Sequence, residues 1–216
     1  WTVNPYPKLG NKAYRSLSSD FDLGSIGAGF GAQCGMIKGG LGSASFVLST
    51  GVTIGALAAV NPIGNVTDSL GKHFWAAPFE INSEFGGLGP PKHTEYAQSL
   101  NRNLMGSFSN RSNTTIAIVA TDAILNKAQI QRMCTAAHDG FARAIIPSHM
   151  PYDGDLIFGA STGKFPMTEE PFAFSELCHA ASICIARAVA RGVYHAVSFP
   201  GDILDSWQNR NANSFE

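Results

Sequence analysis

At 216 residues, with 44% hydrophobic content and a mean hydropathy of +0.02, the chain has the length and composition of one globular unit with a well-filled core. Its 15 basic and 16 acidic residues are interspersed, which excludes the basic stripe of a nucleic-acid binder and the charged patch of a membrane-surface protein. Only 14% of residues are charged while 23 are glycine, a balance that favours close backbone packing in a layered α/β protein over long solvated helices.

Residues 1–23 are polar and proline-bearing and carry no basic segment followed by an apolar core, so no signal peptide is visible. The glycine-dense stretch GSIGAGFGAQCGMIKGGLG, residues 24–42, reads as loop or irregular strand. The β-branched apolar run GVTIGALAAVNPI, residues 51–63, predicts a buried strand stopped by Asn61 and Pro62. Residues 64–113 are mostly polar and weakly periodic, a length that suggests a functional or mobile segment. TTIAIVAT, beginning at Thr114, is a strand of abrupt onset. From Asn126, the apolar positions Ile130, Met133, Cys134, Ala137, Phe141 and Ile145 recur at helical spacing and end before Pro147. DLIFGAS, residues 155–161, predicts a third strand, and residues 172–193 a helix apolar almost all round, hence buried between layers. The order of elements suggests two helical layers around sheet.

The longest uncharged apolar stretch near the C-terminus, residues 177–186, is half the ~20 residues that span a bilayer, so no transmembrane helix is expected. The four cysteines, Cys34, Cys134, Cys178 and Cys184, lack CxxC spacing and read as free thiols, consistent with a reducing, cytoplasmic setting. The triplet pattern of Gly27, Gly29 and Gly31 lacks the GxGxxG spacing of a dinucleotide site, and Lys38 lacks the Ser or Thr of a phosphate-binding loop. Neither a cofactor nor a metal is expected.

A hydroxyl residue at the start of a buried strand, after a long polar segment, suits one particular chemistry. A threonine freed by a cut before it carries its own general base, because an α-amino group titrates near ~7.7 to 8.0. The same hydroxyl can make the cut by attacking the preceding carbonyl. The bond between Asn113 and Thr114 has this setting, although a strand beginning at Thr after a loop is also commonplace. Taken alone, Asp153 and Asp155 around Gly154 read as turn residues, Asn61 as a strand terminator and Lys38 as a solvated loop lysine.

The segment NTTIAIVATDAILNKAQIQRMCTAAHDGFARAIIPSHMPYDGDLIFGASTG, residues 113–163, resembles the β-subunit opening of the DmpA-type (P1) peptidases, S58-like self-processing N-terminal-nucleophile hydrolases that include the threonine-type nylon-oligomer hydrolases. GSIGAGFGAQCGMIKGGLGSAS and VTIGALAAVNPIG resemble strands of the same family's α subunit, in the same order. The resemblance implies a four-layer αββα sandwich, with part of the family's N-terminal region absent from this chain. It implies one domain over residues 1–216, cut into residues 1–113 and 114–216 between Asn113 and Thr114. It implies Thr114 as nucleophile, Asp153 and Asp155 as residues that orient the nucleophile and its amine, and Asn61 and Lys38 as the remaining polar residues of the site. The AHDG neighbourhood of His138 is read as packing. The activity implied is hydrolysis of short peptides or amides by a homo-oligomer of processed heterodimers. An acyltransferase of the ornithine acetyltransferase kind and a non-catalytic truncated homologue are the alternatives.

Overall fold

The computed structural model describes residues 2–91, 113–168 and 172–212. Helix α1 (Tyr6–Arg15) is followed by a 3-10 turn (Gly27–Gly29), the short strands β1 (Gln33–Cys34) and β2 (Ile37–Lys38), and the long strands β3 (Gly40–Val47) and β4 (Thr53–Val60). Then come a second 3-10 turn (Ala77–Phe79), β5 (Ile116–Ala123), α2 (Lys127–Ala144), β6 (Leu156–Phe165), α3 (Ala173–Tyr194) and α4 (Trp207–Asn211). The polar stretch before Thr114 lies outside the described residues from 92 to 112.

The main sheet has the order β3-β4-β5-β6, with antiparallel pairs at β3/β4 and β4/β5 and a parallel pair at β5/β6. Alternation along β4 and β5 turns Ile54, Ala56, Ala58, Val60, Ala117, Val119 and Ala123 into the core. There α3 packs on β3 and β4, α2 packs on β6, and the two helices pack on each other. Asn126 caps α2 through a reciprocal exchange with Gln129, its side chain accepting from the Gln129 N–H at 2.9 Å.

This is the mixed α/β arrangement expected, but the two helices share one face of the sheet. Of the four layers anticipated, the described residues build the four-stranded main sheet and the helical layer on it, with β1 and β2 forming a separate two-stranded sheet. The opposite face carries aligned rows of side chains, Leu41-Ala59-Ile116-Leu156 and Ser43-Leu57-Ile118-Phe158, with Ile116 and Phe158 exposed. Helix α3 is long and apolar enough to cross a membrane by composition, yet 72% of its apolar window is buried inside the structure, as befits a core helix.

Two elements depart from the sequence reading. Residues 6–15 form a helix with no buried residue, in a segment whose polar, proline-bearing sequence predicts no element. Residues 40–47, whose first three close the segment read as loop or irregular strand, are a full strand. A Cβ on Gly40 would strike the Gly192 carbonyl and one on Gly42 the Ala188 carbonyl, so these glycines let α3 lie directly on β3.

Candidate active site

Because β5 and β6 run parallel, the residues just ahead of each strand meet at one end of the sheet. Asn113 pairs with Asp153 in a parallel bridge, and the Leu156 N–H donates to the Thr115 carbonyl at 3.1 Å. The peptide bond between Asn113 and Thr114 is held at both ends. The Gly154 N–H donates to the Asn113 carbonyl at 3.1 Å, and the Thr114 N–H donates to the Asn61 carbonyl at 2.9 Å. The Thr114 hydroxyl lies on the same carbonyl, its Oγ1 2.5 Å from the Asn113 oxygen. Gly154 is required by this proximity: a Cβ there would come within 2.6 Å of Thr114 Oγ1.

The two aspartates sit beneath this bond. Asp155 Oδ1 accepts the Thr115 N–H at 2.8 Å, and Asp153 Oδ2 accepts the Ile63 N–H at 2.8 Å. Their other oxygens, Asp153 Oδ1 and Asp155 Oδ2, are buried with no hydrogen-bond partner among the described residues. The two carboxyl groups interact, and a single proton shared between them satisfies both. Burial, and next the Asp155 charge and this sharing, outweigh the Ile63 N–H and raise the Asp153 pKa to about 6.

A cleft of about 600 Å³ opens on Thr114 and is lined by Gly31, Ala32, Gln33, Asn61, Asn113 and Ile116 among others. The structure therefore brings together Asn61, Asn113, Thr114, Asp153 and Asp155. Asn61 serves twice, its backbone carbonyl on Thr114 and its side-chain oxygen accepting the Gln33 N–H at 2.9 Å. Lys38 stands apart. It is buried in an adjoining cleft of about 220 Å³, ion-paired with Asp202 and lying 5.2 Å from the centre of the Phe199 ring. The two clefts share Gly31, Ala32 and Gln33. His138 is half-buried on α2 beside Phe141, as its packing role anticipates. The four thiols are free, and burial pushes Cys34 up to about 12.

The model of peptidase family S58 matches residues 7–203, nearly the whole of the chain. The chain belongs to peptidase family S58. Across 211 residues it is 38% identical to an uncharacterized aminopeptidase of Mycobacterium tuberculosis, a match covering 93% of this chain and 61% of that protein. It is 25% identical over 176 residues to the 6-aminohexanoate-oligomer endohydrolase of Kocuria sp., covering 78% of this chain and 48% of the relative. The fold is shared with the L-aminopeptidase D-Ala-esterase/amidase of Ochrobactrum anthropi, a variant of the Ntn-hydrolase fold, at a TM-score of 0.59 and 23% identity over 90% of this chain and 51% of that one. The S58 chain thus spans about half to three fifths of the length of the proteins it matches.

Three features of this S58 chain escaped the sequence reading. Gly154 reads as a turn glycine, whereas the room it leaves is filled by the Thr114 side chain. Asp202 is 164 residues from its partner Lys38, a separation no motif spacing reveals. His149, in the loop ahead of β6, reaches Asp155 from the side opposite Thr115, its Nδ1 3.8 Å from Asp155 Oδ2.

Proposed function

We propose that this S58 chain forms an amide hydrolase acting on short peptides or amides, with Thr114 as a nucleophile freed by cutting the bond before it. The supporting observation is the geometry of that bond. Its carbonyl oxygen accepts from the Gly154 N–H and lies against the Thr114 hydroxyl, while its nitrogen is fixed on the Asn61 carbonyl. Attack by Thr114 Oγ1 on the Asn113 carbonyl carbon forms a tetrahedral oxyanion to which Gly154 already donates. Collapse breaks the C–N bond, passes the hydroxyl proton to the departing nitrogen and leaves an ester. Water then hydrolyses the ester, giving an Asn113 carboxylate and a free Thr114 amine.

In the cut form the Thr114 amine takes the hydroxyl proton as substrate is attacked. Asp155 and Asp153 orient that amine. The Asn61 side chain, its oxygen engaged by Gln33, presents its amide nitrogen as the end able to donate toward the substrate oxyanion. Lys38, neutralised by Asp202 and flanked by aromatic rings, serves the neighbouring cleft and not the reacting atoms. The substrate class follows the relatives, one named an aminopeptidase and one an endohydrolase of 6-aminohexanoate oligomers.

The halves remain associated after cutting. Strand β4 belongs to residues 1–113 and β5 to residues 114–216, and the two pair in register from Ile54 with Thr121 to Ala59 with Ile116. The apolar sheet face that no described residue covers favours further assembly into a homo-oligomer of such pairs. Denaturing electrophoresis with intact-mass measurement tests the reading: the parent gives two chains parted between Asn113 and Thr114, and Thr114→Ala gives one. Normal cutting of Thr114→Ala refutes it.

A further inference from the structure

The loop that delivers the two aspartates is held in an uncommon shape. His149 has φ 53° and Tyr152 φ 72°, left-handed values that a side-chain-bearing residue keeps only when its surroundings enforce them. Tyr152 is exposed. For His149 the consequence is definite. Its ring is turned inward onto His138, with ring centres 5.0 Å apart, and near Phe141 at 5.9 Å. Its Nδ1 then faces the oxygen of Asp155 that has no hydrogen-bond partner among the described residues.

The two ends of this contact differ in environment. The Asp155 side chain is 1% exposed, whereas that of His149 is 39% exposed. Among the described residues, His149 is the basic side chain that reaches this carboxylate. We infer that His149 is a positioning residue for the Asp153 and Asp155 pair, its protonated imidazole holding the pair ionised and fixing the direction of the Asp155 carboxylate. Its bearing on catalysis rests on the reading of Thr114 above, but its effect on the pair does not.

The titratable groups facing His149 are His138 and, behind it, Asp139 from α2, with Asp153 and Asp155 from the loop ahead of β6. His138 is lowered first by burial and next by His149, so it does not compete for the cation. An opposite charge within ~4 to 6 Å favours the ionised carboxylate. Removing it lets the pair keep its proton to higher pH.

The test has a readout independent of catalysis. In the full chain carrying Thr114→Ala to prevent cutting, the side-chain carboxyl 13C signals of Asp153 and Asp155 are followed against pH. His149→Gln, which removes the cation, is expected to raise the midpoint of the pair by roughly one pH unit. His149→Lys, which keeps a cation but loses the ring, is expected to leave it within a few tenths of the parent. With Thr114 restored, the acid limb of the cutting rate, read by electrophoresis, moves upward with His149→Gln by the same amount. A purely packing role lowers the rate at all pH values without moving either midpoint. An unmoved carboxyl midpoint in His149→Gln, or an equal rise in His149→Lys, overturns the inference. A moved midpoint in a chain that is never cut at Thr114 leaves the inference standing and refutes the proposed nucleophile instead.

Discussion

Adding one methyl group at Gly154 should nearly abolish self-cutting while leaving the fold intact. A Cβ at this position would lie 2.6 Å from Thr114 Oγ1, whereas ordinary contact begins near 3.4 Å. The hydroxyl must therefore retreat by roughly 0.8 Å, or Thr114 must change rotamer, and a displacement near 1 Å at a reacting atom costs about 100-fold in rate. The rotamer change itself costs about 0.5 to 1.5 kcal/mol. For a chain of this size that lowers Tm by no more than about 6 °C. The assay is a time course of cutting after synthesis of the precursor, paired with a thermal melt. Gly55→Ala is the control, since its added Cβ meets nothing closer than the Ala44 carbonyl at 3.8 Å. If Gly154→Ala is cut within threefold of the parental rate, Thr114 Oγ1 is not the attacking atom in this geometry.

Two further predictions concern stability. The Asp153 pKa lies near 6 in the folded chain, above its ordinary 3.8, so the folded state binds the proton more tightly than the unfolded one. The cost of its burial is therefore absent below about pH 4 and fully present above about pH 6, amounting to no more than about 3 kcal/mol. Asp153→Asn, which keeps an acceptor for the Ile63 N–H, should match the parent Tm at pH 4 and exceed it at pH 8. A Tm difference that does not change with pH contradicts the burial argument. Glu84 grips the buried Arg187 by two bonds, at 2.5 and 3.0 Å, and lies 3.5 Å from Arg191. Glu84→Gln leaves Arg187 without its counter-charge, which typically costs about 3 to 5 kcal/mol and should lower Tm by roughly 10 °C. A melt within 2 °C of the parent would show that Arg187 needs only the Ser45 carbonyl it also contacts, at 2.8 Å.

The elements legible in the sequence are those whose partners lie along their own periodicity. Strands β4 and β5 and helices α2 and α3 were predictable because each has a long apolar face, and alternation or helical spacing records it directly. Strand β3 was only partly legible, at the end of a segment read as loop or irregular strand, because Gly40 and Gly42 answer to helix backbone far along the chain. Helix α1 was hidden because it buries nothing, so no core face marks it. The motif residues Asn61, Thr114, Asp153 and Asp155 were nameable, and their convergence follows from strand order. His149 and Asp202 were not, since what each touches is decided by loop shape and tertiary contact and not by spacing.

The parallel pairing of β5 and β6 explains how so short a constellation reaches one point. In an antiparallel pair, the residue before one strand lies beside the residue after the other, so two strand entrances stand at opposite ends. In a parallel pair both entrances stand together, and the crossover through α2 provides the length to make this possible. The segment of Asn113 and Thr114 enters β5 beside the segment of Asp153, Gly154 and Asp155 entering β6, and the bridge between Asn113 and Asp153 extends the ladder past the last regular pair. Strand β4 completes the arrangement from the other side. Being antiparallel to β5, it ends where β5 begins, and so its exit carries Asn61 to the Thr114 amide. The polar groups around the candidate bond are thus ends of three neighbouring strands, fixed by the same hydrogen-bond ladder that holds the sheet.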